Sequence, residues 1–244
     1  MNEFLHLFSS SAAWISLLTL TLMEIVLGID NVIFISLVSN KLPAEQQDKA
    51  RSIGISLALI IRVFLLMLIS WIIGLTQPVF TLMANEISWR DIILMAGGLF
   101  LIGKSTMEIH ERIEHGDEEA KTNGKQSSFA SVIGQIIVLD IIFSFDSIIT
   151  AVGLANHVGI MIIAVIISMI IMYQFAKPIS NFIQKHPTMK MLALSFLIMI
   201  GLTLFIEALD VHVPKGYVYF AMAFSLLVET LNIRLRSKDQ KRHN

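Results

Sequence analysis

The chain has 244 residues, 55% of them hydrophobic and 15% charged, with a mean hydropathy of +0.73 and a net charge near −1. That is too apolar for a water-soluble domain, in which charged residues make up about 25%, and it reads as an all-α polytopic membrane protein whose surroundings are the lipid bilayer. There is no cysteine, which excludes disulfides and thiolate metal sites, and nothing in the composition points to nucleic acid.

Residues 1–11 carry no basic n-region and no small-residue cleavage site, so the first apolar run is expected to stay as a helix. Hydropathy predicts seven spans, at about 14–38, 52–75, 91–107, 129–154, 158–176, 190–209 and 216–233. The third is short and carries Lys104 near its end. Lys and Arg fall almost wholly on one side: Lys41, Lys49 and Arg51; Lys104, Arg112, Lys121 and Lys125; Lys177, Lys185 and Lys190; and the tail Arg234, Arg236, Lys238, Lys241 and Arg242. Only Arg90 and Lys215 lie on the other side, and Arg62 lies within a span. The positive-inside rule then puts the N-terminus outside and the C-terminus in the cytoplasm. Trp14, Trp71, Trp89, Tyr217 and Tyr219 fall near the outer interface, as an aromatic belt would.

Two of the spans carry acids. Glu24-Ile-Val-Leu-Gly28-Ile-Asp30-Asn31 in the first is matched by Asp140-Ile-Ile-Phe-Ser144-Phe-Asp146-Ser147 in the fourth. A carboxylate at mid-span costs about 2.5–3.5 kcal/mol on insertion scales, and such residues are functional by default. Six positions place the acids of a pair about 120° apart on a regular helix, whereas Glu24 and Asn31, or Asp140 and Ser147, share a face. Breaks at Gly28 and Ser144 would let each pair point at one spot and free backbone carbonyls for a cation. The alternative is acids that are protonated or ion-paired and hold helices together.

The first span runs inward and the fourth outward. The expected architecture is therefore two inverted three-helix repeats plus one extra helix: residues 1–107, a cytoplasmic linker 108–128, residues 129–209, and residues 210–244 with the seventh helix and the basic tail. A pseudo-two-fold axis in the membrane plane would gather the four acids. In the linker, His110, Glu111, Glu114 and His115 resemble a metal cluster, but the spacing is His-Glu-x-x-Glu-His. A solvated extension of the third helix is the preferred reading over a cation-loading site.

Carboxylate, amide and hydroxyl oxygens suit hard divalent cations such as Mn²⁺, Ca²⁺ or Mg²⁺. The candidate ligands are Glu24, Asp30, Asn31, Asp140, Asp146 and Ser147. The 13 methionines scatter without paired spacing and read as packing. Arg62 is expected either to balance a mid-depth acid when no cation is bound or to form a permanent ion pair. Glu207 and Asp210, with His212, form a candidate outer gate or an interfacial polar cluster. Lys104 can snorkel to water, and Glu229 and Asn232 read as helix glue.

Both acidic motifs resemble the TerC family of integral membrane proteins, through Glu24-Ile-Val-Leu-Gly-Ile-Asp-Asn-Val-Ile-Phe and Asp140-Ile-Ile-Phe-Ser-Phe-Asp-Ser-Ile-Ile-Thr-Ala-Val-Gly-Leu. Gly97-Gly-Leu-Phe-Leu-Ile, His186-Pro-x-x-Lys-Met-Leu-Ala-Leu-Ser-Phe and His212-Val-Pro-Lys-Gly-Tyr extend the resemblance over about residues 14–232. It implies a manganese exporter. The resulting expectation is efflux of a divalent cation, Mn²⁺ first, by alternating access with one half rocking against the other, coupled to protons that discharge the empty site. No resident cofactor and no enzymatic activity are expected. The rival readings are an exporter of organic cations, an intramembrane enzyme built on the paired acids, and a non-transporting membrane subunit that assists metal loading or assembly of envelope proteins.

Overall fold

The computed structural model describes residues 10–82, 85–122, 128–152 and 157–243, without the side chains of 82, 85, 115–122, 150–152 and 237–243. The expectations for His115, Lys121, Lys125, Lys238, Lys241, Arg242 and the last two residues of the fourth span lie outside the described residues. In chain order the elements are α1 (Ser11–Ser39), α2 (Ala44–Met67), α3 (Ile69–Gly74), β1 (Pro78–Leu82), β2 (Asn85–Ser88), α4 (Trp89–Thr122), α5 (Phe129–Val152), α6 (Val158–Lys185), α7 (Pro187–Glu207) and α8 (Lys215–His243). Seven of these helices are long and apolar enough to cross a bilayer: α1, α2, α4 over Trp89–Glu114, α5, α6, α7 and α8 over Lys215–Arg236. The chain is a seven-span, all-α membrane bundle with one small antiparallel hairpin, β1–β2, between the second and third spans.

Local chemistry sets the helix ends. Ser10 caps α1 by accepting from the Ala13 amide at 3.2 Å, and Ser128 caps α5 through the Ser131 amide at 3.2 Å. At α4 a capping box forms: Asp91 N–H donates to Ser88 Oγ at 3.3 Å, while Asp91 Oδ2 accepts from the Ser88 amide at 2.9 Å. Pro187 opens α7 at its first turn. At the other end of α7, Asp210 adopts a left-handed φ of 60°, and the Val211 amide reaches back to Ile206 O at 3.4 Å. This is a Schellman-type stop, at a position where Asp is better tolerated than most residues.

Three boundaries differ from expectation. The second span starts earlier, at Ala44, and is interrupted at Leu68 before α3 continues it. The third span is longer than 91–107, covering Trp89–Glu114, and α4 runs on to Thr122 as the expected solvated extension, with Glu108 pairing with Arg112 at 3.1 Å and His110 with Glu114 at 3.4 Å. The fifth passes through Pro178, which lacks an amide proton, and reaches Lys185. Lys177 and Ser180 on either side of that proline are tied by polar contacts to α2.

The chain forms two compact units. The first, Met1–Leu94 with Lys125–Asn181, contains α1, α2, α3, the hairpin, α5 and most of α6. Within it α1, α2 and α5 pack on one another, and α3 also packs on α5. The second, Met95–Gly124 with Phe182–Asn244, contains most of α4 with α7 and α8. There α7 packs on α8, and α8 exposes Tyr217, Phe220, Phe224, Leu227, Leu231 and Leu235, a surface suited to lipid. The units cut across the two expected three-helix halves, since α1 and α5 come from different halves.

Backbone approach in the second unit depends on two glycines. A Cβ added to Gly98 would lie 2.5 Å from Gly201 O, and one added to Gly201 would lie 2.8 Å from Gly98 O. Nothing lies within 4 Å of a Cβ at Gly103. Gly98→Ala and Gly201→Ala are each expected to lower stability by about 1–3 kcal/mol, the usual cost of overpacking, with Gly103→Ala close to neutral. Thermal unfolding in detergent measures all three; equal melting temperatures would remove this contact as a constraint.

Candidate functional site

The acids of α1 and α5 lie in the first unit, and they are buried: relative exposures are 5% for Glu24, 5% for Asp30, 3% for Asp140 and 7% for Asp146. Asn31, Ser144 and Ser147 are buried with them. Arg62, on α2, is 3% exposed. Its guanidinium joins the first acid of each motif. Nη1 donates to Glu24 Oε2 at 2.9 Å, while Nη2 and Nε both donate to Asp140 Oδ1, at 2.9 and 3.1 Å. Such charge-assisted bonds are among the stronger polar contacts available to a buried guanidinium. Two acids thus share one cation.

A polar track continues along α5. Ser144 Oγ donates to the remaining Asp140 oxygen, Oδ2, at 3.4 Å, and Ser147 Oγ donates to Ser144 O at 3.2 Å. On α1, Thr21, Glu24, Gly28 and Asn31 share a face by helical spacing. Here the hydrogen bonding is incomplete. Asp30 Oδ1, both polar side-chain atoms of Asn31, and the hydroxyls of Thr21 and Ser36 are buried without a hydrogen-bond partner. Thr21 and Ser36 were not singled out from sequence. The usable signal for Thr21 was its place one turn before Glu24 on the same face; Ser36 offered none.

The expected breaks at Gly28 and Ser144 do not occur: α1 and α5 run uninterrupted through both positions. Gly28 serves packing instead, since a Cβ there would collide with the Met172 side chain of α6. Ser144, with no exposed surface, bonds to Asp140. In continuous helices the six-residue spacing leaves the acids of each pair about 120° and 9 Å apart. The four acids are accordingly not gathered at one point. Among the described residues no group of three or more His, Cys, Asp or Glu side chains is placed to hold a metal ion.

The remaining candidates belong to the second unit. Glu207, at the end of α7, is buried, whereas Asp210 is exposed and serves as the helix stop. His110 and Glu114 form an exposed pair on α4, and Asn232 contacts Glu229 at 3.4 Å on α8. A second polar network, absent from the sequence reading, joins α1, α2 and α6. Arg51 donates to both Asp48 and Ser180, Ser180 Oγ donates to Asn40 Oδ1 at 3.2 Å, and Lys177 Nζ donates to Asp48 Oδ2 at 2.6 Å.

Residues 9–244 match the model of the integral membrane protein TerC family. The chain is 55% identical over 226 residues to the UPF0053 inner membrane protein YgdQ of Escherichia coli, covering 93% of this chain and 94% of the relative. It is 52% identical over 224 residues to a UPF0053 protein of Haemophilus influenzae, covering 92% and 94%. The inner membrane protein YoaE of Escherichia coli is 50% identical over 219 residues, which is 90% of this chain but 42% of that longer protein. No solved structure matches.

The second network contains contacts of unequal weight. Arg51 is buried and doubly engaged, while the Lys177–Asp48 pair is exposed. Arg51→Met is expected to cost about 1.5–3 kcal/mol, as for hydrogen bonds to a charged group, and Lys177→Met less than about 1 kcal/mol, as for a surface ion pair. Melting curves of the two variants in one detergent check the order; a larger loss in Lys177→Met would contradict it.

Proposed function

This chain belongs to the TerC family of multi-pass inner-membrane proteins, and we propose that it exports a divalent cation, Mn²⁺ before Ca²⁺ or Mg²⁺. The observation that carries the reading is a set of polar side chains, deep in apolar helices, that the protein itself leaves incomplete. Asp30 Oδ1 and the Asn31 amide are unpartnered although both residues are more than nine-tenths buried. A buried unsatisfied group costs about 1–3 kcal/mol in a protein interior, and lipid offers no water to relieve it. Such a cost is tolerable where a transient visitor completes the set. The ligand atoms in this reading are oxygens met in turn along the track, from Glu24, Asp30, Asn31, Asp140, Asp146 and Ser147, which suit a hard cation.

The N-terminus lies outside and the C-terminus in the cytoplasm in this reading, and α1–α2–α4 and α5–α6–α7 are inverted repeats. The packing of α1 on α5 and the meeting of Glu24 with Asp140 at Arg62 support that pairing. Because α1, α2 and α5 pack together, the acid track stays within one compact body while access alternates between the two faces. That replaces the rocking of one half against the other.

Purified protein in liposomes loaded with a metal-sensitive dye tests the reading, with Mn²⁺, Ca²⁺ and Mg²⁺ supplied in turn. Asp30→Asn and Asp146→Asn are each expected to slow Mn²⁺ flux at least about tenfold, or ~1.4 kcal/mol of barrier, with membrane insertion unchanged. Full flux in both variants overturns the site. Folded wild-type protein that moves none of these ions overturns the function.

A further inference from the structure

We infer that the Arg62 guanidinium is a tethered stand-in for the transported cation: it occupies the Glu24–Asp140 pair in the empty carrier and leaves that pair when the divalent ion arrives. The inference rests on the cation-carrier reading above. It starts from position. Glu24 and Asp140 are the corresponding first acids of the two motifs, and the single guanidinium touches both at 2.9 Å. Arg62 is as deeply buried as its partners, so its charge is neutralised by them and not by solvent. A divalent cation cannot take the same oxygens while the guanidinium holds them, because like charges at contact distance repel strongly where water is scarce. Occupancy by one excludes the other.

The charges explain why such a stand-in is useful. Two carboxylates exposed together at membrane depth would make the empty carrier costly to return. Arg62 covers them with a cation that cannot leave the protein. On loading, the guanidinium needs other acceptors. Thr21 Oγ1, buried and unpartnered, lies one turn before Glu24 on the same face of α1. It gives a displaced donor a place to bond, and this accounts for a hydrogen-bonding group otherwise left without purpose. Arg62 therefore lowers cargo affinity and raises turnover at once. It also substitutes for protons at two of the four acids.

The test compares wild type, Arg62→Gln and Arg62→Lys, each checked for insertion and monodispersity. Mn²⁺ affinity is measured by calorimetry in detergent. Net Mn²⁺ flux and Mn²⁺/Mn²⁺ exchange, which never requires an empty carrier to return, are measured in liposomes. Removing the competitor in Arg62→Gln is expected to tighten Mn²⁺ binding about tenfold or more, to slow net flux by a similar factor and to leave exchange intact. Arg62→Lys, which keeps the charge with fewer donors, should fall between, and it carries the test if Arg62→Gln fails to fold. Weaker or unchanged Mn²⁺ binding, with net flux and exchange lost together, makes Arg62 a permanent structural pair and overturns the inference alone. Wild-type protein that neither binds nor moves a divalent cation overturns the carrier reading, and this inference with it.

Discussion

Three helices meet at one guanidinium. Arg62 of α2 holds Glu24 of α1 and Asp140 of α5 at hydrogen-bonding distance, buried among apolar helices. No side chain of the three is stable there alone, since an unpaired charge at membrane depth is expensive. The triad therefore constrains the mutual rotation of α1, α2 and α5: turning any one helix by a single residue would strand at least one charge. Leu66, Ile136 and Leu139, on the same helices as Arg62 and Asp140, are also buried and add van der Waals contact, but apolar packing in lipid is weakly directional. The ion pairs set the register that packing then fills.

Small residues let the polar contacts form. Gly28 lies one turn beyond Glu24 and gives Met172 of α6 room against α1. At the corresponding position of α5, Ser144 uses its hydroxyl to occupy the second oxygen of Asp140. The two motifs thus match in spacing but differ in satisfaction. Asp140 has both oxygens bonded, whereas Asn31 on α1 keeps an unbonded amide. The incomplete bonding gathers on α1, and that asymmetry distinguishes the two halves of the chain more sharply than their sequences do.

Most of the fold was legible because the bilayer enforces it. Seven apolar runs of sufficient length became seven helices, since lipid leaves few other ways to satisfy a backbone. The paired acids stood out against those runs for the same reason. What escaped the sequence depends on local hydrogen bonding or on distant partners. Ser88 and Asp91 close a capping box that fixes the start of α4. Helix α6 continues through Pro178 where contacts from α2 grip both sides. The acid spacing calls for a broken helix only if both acids of one pair must point at one spot. In the unbroken helices the contact runs between helices instead, with Glu24 and Asp140 joined by a single arginine.

Unbroken helices also restrict the coordination chemistry. A discontinuous helix would offer free carbonyl oxygens to a cation. Here the carbonyls of α1 and α5 near the acids are committed to their own helical bonds. In the carrier reading, the protein's share of the coordination then comes from side-chain oxygens, and with no group of three or more His, Cys, Asp or Glu side chains placed to hold a metal ion among the described residues that share is small. The balance falls to water retained by the ion. Small hard divalent cations dehydrate reluctantly and commonly keep several waters with one or two carboxylates. A site of this kind selects by charge and partial hydration and gives up the grip of a closed cage, which suits an ion that must leave as readily as it enters.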